Sequence, residues 1–176
     1  SKTFATPTNN KIWTVSWWLK RCSSGPNQTI LFAENAGERG QLYFHLDKLR
    51  YYHHDDGVRM DASRLFRDPS AWYHCVFSFD TTQSAFSDQM RLWVNGERVT
   101  DFATSSALAQ DAASYINSAC AHDISKSYWG DYVDGYLAEY YFIDGTVYAA
   151  SDFGELDSTT NQWIPKDASD LTFGTN

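Results

Sequence analysis

The segment WYHCVFSFDTTQSAFSDQMRLWVNG, residues 72–96, contains the strongest structural signals in this sequence. Its first eight residues are aromatic or β-branched for the most part, and residues 90–94 alternate apolar and polar side chains, as half-buried strands do. Asn95-Gly96 is the pair most typical of a two-residue hairpin turn, because both turn positions need positive φ. Asp68-Pro69 keeps the residue before the proline out of helical geometry and marks where the first strand begins. We therefore predict two antiparallel strands joined by a polar loop, with a tight turn after the second.

Strand patterns recur along the rest of the chain, whereas helical patterns are scarce. Predicted strands cover residues 12–19, 29–33, 41–46, 48–53, 58–66, 114–124 and 135–143. We predict a loop at 103–113, a short helix at 148–155 with Ser151 as its N-cap, and an irregular tail at 156–176 that lies over the sandwich. About nine strands with hairpin connections predict an all-β fold: an antiparallel two-sheet β-sandwich of the jelly-roll type, with at most one or two short helical turns.

Length and composition indicate one globular domain over residues 1–176. Apolar residues make up 43% of the chain and aromatic residues 16%, which is enough for a sizeable core. The net charge of −8 argues against nucleic acid as a partner, because phosphate backbones are bound through basic patches. No apolar run is long enough to span a bilayer, so membrane insertion is not expected.

The three cysteines, Cys22, Cys75 and Cys120, are scattered and odd in number. They form neither a disulfide framework nor a zinc-binding spacing, and small buried apolar residues are the simplest interpretation. We expect the chain to fold in a reducing compartment. Its first and last residues suggest a domain excised from a longer protein.

Several ordered motifs resemble the laminin-G-like, concanavalin A-like domains found in tail and fibre proteins of marine bacteriophages. They lie at residues 1–21, 66–74, 134–139, 142–145, 151–155 and 163–166, in addition to the central hairpin. The resemblance covers almost the whole chain and implies a concanavalin A-like sandwich. In that group a further strand usually follows the position of Asn176. The fold hosts lectins, receptor-binding modules, glycan hydrolases and structural spacers, so it does not decide between them.

Catalysis is not expected. Retaining glycosidases need two carboxylates about 5 Å apart, and laminarinase-type enzymes of this fold place them in an E-x-D-x-x-E or E-x-D-x-E pattern on one strand. Glu155-Leu156-Asp157 is the nearest match and lacks the third acid. No nucleophile elbow, P-loop or His-Glu-x-x-His motif is present.

The run Tyr51-Tyr52-His53-His54-Asp55-Asp56 is the first candidate ligand site. Adjacent histidines on a strand point to opposite faces, which argues against zinc. A solvated strand end explains the run, and a glycan-contacting edge explains it too. For the edge we take Tyr52, His53, His54 and Asp55, because aromatic faces stack on sugars while His and Asp bond the hydroxyls.

The loop around Tyr128-Trp129-Gly130-Asp131-Tyr132 is the second candidate. Exposed aromatic residues beside polar ones are typical of glycan- and protein-binding surfaces. Tyr128, Trp129, Asp131 and Tyr132 are therefore predicted ligand contacts. The alternative is that Trp129 plugs one end of the sandwich or meets a neighbouring subunit.

No cofactor is predicted, and calcium is left open. Lectin relatives hold Ca²⁺ at a loop rim, and Ca²⁺ takes six to eight oxygens. Asp80 and Asp88 flank one polar loop and Asp131 and Asp134 another, but neither set has the density of a dedicated cage. No metal ligand is assigned.

Taken with the resemblance, these features predict a non-catalytic binding module of a phage-type virion protein that recognises host-surface carbohydrate during attachment. The expected partners are a host glycan or receptor and other virion proteins, and a homo-oligomer is compatible with the pattern. We expect the module on the virion surface, after folding in the host cytoplasm. The alternative is a structural or decoration module without a glycan ligand, and a polysaccharide-degrading enzyme ranks below both.

Overall fold

The computed structural model describes residues 1–176 except for the side chain of Asp55. The strands in this part of the chain are Lys2–Thr3 (β1), Ile12–Arg21 (β2), Gln28–Asn35 (β3), Glu38–His45 (β4), Lys48–His53 (β5), Gly57–Ala62 (β6), Tyr73–Asp80 (β7), Met90–Val94 (β8), Glu97–Arg98 (β9), Phe102–Ser105 (β10), Ala121–Ile124 (β11), Gly135–Asp144 (β12), Gly154–Leu156 (β13) and Trp163–Pro165 (β14). Three short helical turns lie at His54–Asp56, Phe86–Gln89 and Ala150–Asp152. The sequence predicted at most two.

Two antiparallel sheets form the sandwich. The larger sheet has seven strands in the order β1-β11-β3-β4-β5-β6-β10, and the smaller has five in the order β12-β2-β7-β8-β9. A separate two-stranded sheet joins β13 to β14. The predicted all-β, two-sheet jelly-roll sandwich is confirmed.

The core follows from side-chain alternation on β2 and β7. Trp13, Val15, Trp17 and Leu19 of β2 point into the core and are fully buried, while the alternate residues Thr14, Ser16 and Trp18 lie on the opposite face of the strand. Trp13 packs against Phe77 and Phe79 of β7, with ring centroids 5.4 and 5.2 Å apart. The two sheets therefore meet over an aromatic layer.

The predicted central hairpin is confirmed in its register and its turn. β7 pairs with β8 from Cys75 opposite Val94 to Phe79 opposite Met90. Asn95 and Gly96 have φ values of 51° and 84°, as a two-residue turn of this kind requires.

Three local predictions are wrong. Only Ala121–Ile124 of the predicted strand at 114–124 forms a strand, because it alone pairs with neighbouring strands, β1 and β3. The predicted loop at 103–113 begins inside β10, which pairs with β6. The predicted helix at 148–155 shortens to one 3-10 turn, because the chain leaves it to form β13.

The tail does lie over the sandwich, and it is more ordered than expected. Its residue Ala168, together with Ala150 and Phe153 that precede the tail, packs against Val76 and Ile143 on the outer face of the five-stranded sheet. A second apolar cluster thus forms outside the main core, and the β13–β14 hairpin rests beside it. No helix in the described part of the chain has the length and apolar character needed to cross a membrane.

Candidate functional site

A groove of about 650 Å³ opens on the outer face of the five-stranded sheet. We call it the tryptophan groove. Its lining residues are Trp18, Trp72, Asn95, Ala138, Glu139, Gln162, Trp163, Ile164 and Pro165. β2 and β12 form its floor, β14 forms one wall, and the residues flanking β7 and β8 close its end. Three indoles with a few polar groups give the mixed lining typical of small-ligand sites.

His74 organises the floor of the tryptophan groove. Its ring stacks on Trp18 at 4.9 Å and on Trp163 at 6.0 Å between centroids. The indole N–H of Trp163 donates to His74 Nδ1 at 2.8 Å, so Nδ1 carries no proton and the Nε2–H faces Ser16 Oγ at 2.9 Å. Burial lowers the pKa of His74 from 6.5 to about 4. The imidazole is therefore neutral at pH 7, and its plane lies 17° from that of Trp18 and 24° from that of Trp163.

The Asn95-Gly96 turn does more than reverse the chain. The Asn95 side-chain oxygen accepts the His74 backbone N–H at 2.8 Å, which ties the turn to β7. A Cβ on Gly96 would lie 2.7 Å from the Trp163 ring, and one on Gly154 would lie 2.6 Å from it. Trp163 thus fits between two glycines, and its position depends on both.

Gly96→Ala is expected to lower the free energy of unfolding by about 2 kcal/mol, because alanine at positive φ is strained and its methyl group displaces the Trp163 ring. The measurement is urea unfolding followed by circular dichroism. Gly37→Ala is the matched control, since Gly37 also has positive φ, at 91°, but no atom within 4 Å of the added Cβ. Equal losses in the two variants would contradict a structural role for the Trp163 contact.

Glu139 supplies the carboxylate of the tryptophan groove, and its backbone has an uncommon conformation. It lies in a β-bulge of β12 and has a φ of 47°, a conformation that costs energy for any residue except glycine. The Tyr141 hydroxyl donates to the Glu139 carboxylate. That hydrogen bond, assisted by burial, raises the pKa of Tyr141 to about 12. The bulge therefore presents an anchored carboxylate beside the indoles.

The predicted aromatic loop lies on the opposite side of the sandwich, against the seven-stranded sheet. Tyr128, Trp129 and Tyr132 are 78%, 52% and 61% exposed. The backbone oxygen of Asp131 accepts the Thr29 N–H at 3.0 Å, and the carboxylate of Asp131 accepts Ser127 Oγ–H at 3.2 Å. Asp131 thus anchors the loop, while the aromatic rings remain accessible.

The structure joins the two predicted candidate sites through a residue that the sequence did not indicate. The Arg39 guanidinium lies 4.5 Å from the ring of Trp129 and 4.8 Å from the ring of Tyr52. Tyr52 also donates its hydroxyl to the His54 backbone oxygen at 3.3 Å. Trp129 and Tyr52 therefore flank one cation.

The rings of the two histidines of the first candidate lie against Tyr115. His53 is 5% exposed, and its Nε2–H donates to the Ala113 carbonyl at 3.2 Å. The rings of both His53 and His54 contact Tyr115, at 4.8 and 6.4 Å between centroids. The alternation argument for opposite faces fails because β5 ends at His53 and His54 begins a helical turn. Asp55 lies outside the described side chains. Ligand contact at these positions stays a prediction.

The acidic residues considered for calcium do not converge. The Asp80 carboxylate accepts hydrogen bonds from Thr82 and Gln83, and Asp88 lies 3.9 Å from Arg91. Across the side chains that the structure describes, no three His, Cys, Asp or Glu residues form a group able to hold a metal ion. The donor set therefore does not fit a calcium cage.

Sequence reasoning missed the tryptophan groove because its members are distant along the chain and on elements of different kinds. Trp18 and Trp72 were assigned to strand packing, and Trp163 to an irregular tail. One signal was available: Trp18 alternates with the core residues Trp17 and Leu19, so an outward-facing indole was predictable.

Comparisons with known proteins agree on the fold. A family model described as the concanavalin A-like lectin/glucanases superfamily matches residues 2–152. A heptameric SAP-like pentraxin from Limulus polyphemus superposes with a TM-score of 0.58 at 13% identity, covering 83% of this chain and 70% of the pentraxin chain. The CBM40 of a Ruminococcus gnavus IT-sialidase, solved with α2,3-sialyllactose, gives 0.53 at 16% identity, covering 76% and 75%. No curated protein sequence matches the chain significantly. At these identities the structural likeness bears on the fold alone.

Proposed function

Because the chain belongs to the concanavalin A-like lectin/glucanases superfamily, we propose that it is a non-catalytic module that binds carbohydrate in the tryptophan groove. The observation that carries the proposal is the convergence of three indoles with amide and carboxylate groups in one open groove. Indole faces cover the apolar faces of sugar rings, and short polar side chains bond the hydroxyls.

The polar lining suits this role. Asn95, Gln162 and Glu139 supply amide donors and oxygen acceptors around the indoles. Sialyllactose binding by the CBM40 shows that this fold can carry such sites, although it does not specify the sugar here.

The carboxylates support binding rather than hydrolysis. Glycoside hydrolysis uses a pair of carboxyl groups that flank the scissile bond. Among the described residues that line the tryptophan groove, Glu139 alone is a carboxylic acid. An absence of reducing-sugar release from any bound polysaccharide is the corresponding expectation.

We place this module in a phage-type virion protein that attaches to host-surface glycan, on the strength of the sequence motifs at residues 1–21 and 66–74. A structural or decoration role in the virion is the second candidate. The exposed rings of Tyr128, Trp129 and Tyr132 favour it, because clustered exposed aromatics are common at protein interfaces.

Trp72→Ala is expected to weaken glycan binding by at least about tenfold while leaving stability nearly unchanged, because Trp72 is 41% exposed and lines the groove. A glycan array selects the ligand, and titration calorimetry with and without calcium measures its affinity. Trp129→Ala, which removes an exposed indole from the opposite sheet, is the matched control.

The outcomes separate the candidates. Loss of binding in Trp129→Ala alone moves the glycan site to the aromatic loop. Binding to no glycan, together with defined oligomers whose assembly depends on Trp129, supports the structural role and refutes the glycan proposal.

A further inference from the structure

The tryptophan groove combines features that suit a positive charge. Three indoles line it, and the face of an indole ring carries negative electrostatic potential that attracts cations. Glu139 adds a full negative charge at the same place. Among the described lining residues none is basic, and Lys20, two residues beyond Trp18 on the same face of β2, does not line the groove.

We propose that the tryptophan groove prefers saccharides that carry a protonated amino group and disfavours those that carry carboxylate or sulfate groups. The inference rests on the proposed function and names the class of sugar. The ammonium group of an amino sugar lies against the Glu139 carboxylate while the sugar ring covers an indole. An acidic sugar in the same place meets a like charge and three negative ring faces.

The backbone at Glu139 supports a dedicated role for this carboxylate. A non-glycine residue at φ 47° in a bulge is a strained arrangement, and such strain is concentrated at functional sites. The Tyr141 hydroxyl donates to the Glu139 carboxylate, which fixes its direction. Among the described residues no arginine, lysine or histidine forms an ion pair with Glu139 within 4 Å, so its charge is available to a ligand.

The rest of the groove does not neutralise that charge. The imidazole of His74 is engaged by Trp163 and Ser16 and is neutral at pH 7. Asn95 and Gln162 are uncharged amides. The whole chain carries a net charge of −8, so the long-range potential also attracts cations.

The test is titration calorimetry with three oligosaccharides of equal length: a β-1,4-linked glucosamine oligomer, its fully N-acetylated form and an oligogalacturonate. The glucosamine oligomer is measured at a pH below the pKa of its amines. We expect it to bind about five- to tenfold more tightly than the acetylated form, and oligogalacturonate to bind most weakly.

Glu139→Gln is expected to remove that five- to tenfold preference, so that in this variant the affinities of the glucosamine oligomer and its acetylated form lie within about twofold of each other. Glu38→Gln is the matched control, because it removes one exposed carboxylate from the β3–β4 turn of the opposite sheet. Thermal unfolding of both variants confirms that each is folded. Retention of the preference in Glu139→Gln, or its equal loss in Glu38→Gln, overturns the role of Glu139.

The outcomes keep the two proposals apart. If neutral glycans bind in a Trp72-dependent manner with no preference for the amine, the charge inference fails and the carbohydrate-binding proposal stands. Tighter binding of oligogalacturonate also refutes the inference alone. If the array and all three oligomers show no binding, both proposals fail.

Discussion

Asp47→Ala is expected to lower the free energy of unfolding by about 3–5 kcal/mol, because it leaves the buried charge of Arg21 without its carboxylate partner. Arg21 Nη1 lies 3.0 Å from Asp47 Oδ1, and the two side chains are 2% and 6% exposed. The same carboxylate accepts the Gly25 backbone N–H at 2.7 Å. Urea unfolding monitored by fluorescence measures the loss.

Arg67→Ala is the control for this prediction. Arg67 Nε lies 3.0 Å from the other oxygen of Asp47. Its own side chain is 62% exposed, so removing it is expected to cost no more than about 1 kcal/mol. Similar losses in Asp47→Ala and Arg67→Ala would contradict the assignment of the large effect to the buried Arg21 charge.

Acidification from pH 6.5 to about 4 is expected to lower the free energy of unfolding by about 3 kcal/mol through His74 alone. Burial depresses the pKa of His74 in the folded protein, so between these two values the unfolded chain binds a proton that the folded protein does not. The stability is fully present above pH 6.5, decreases as the pH falls, and stops changing through this group below about pH 4. Protonation also opposes the Trp163 hydrogen bond, because Nδ1 and the indole would then both be donors.

Urea unfolding at several pH values tests this, with His74→Gln compared against the unmodified protein. The variant is expected to show a shallower loss over the same range. His122 contributes to the same range, since burial lowers its pKa as well, so only the difference between the two proteins reports on His74. Asp47 and Asp144 act in a lower range: burial alone would raise their pKa values, but hydrogen bonds outweigh it and lower them below 3.8. An unchanged slope in His74→Gln would refute the assignment.

Local sequence signals predicted the fold correctly where the residues that determine a strand or a turn lie within a few positions of one another. β7, β8 and the Asn95-Gly96 turn are confirmed because alternation and positive-φ residues act within a few positions. The predicted strand at 114–124 and the predicted helix at 148–155 were wrong because the conformation of these segments depends on strands that are distant in the sequence. β11 exists only where β3 pairs with it, and β13 only where β14 does.

The same distinction between local and distant information applies to the candidate sites. Tyr128, Trp129 and Tyr132 were predicted from local composition, and their exposure agrees with an accessible surface. Arg39 was not predicted, because nothing near it in the sequence shows that it lies between Tyr52 and Trp129.

The sequence by itself determined the sandwich, since strand alternation and turn chemistry are encoded over two to ten residues. Only the tertiary structure decided that the tryptophan groove forms. In the folded chain Trp163 packs against Gly96 and donates a hydrogen bond to His74, which lies 89 residues earlier in the sequence. Residues 72–96 therefore form the frame of the sandwich and also part of the tryptophan groove, because the inward side chains of β7 and β8 fill the core while Trp72 and Asn95, which flank these strands, line the groove.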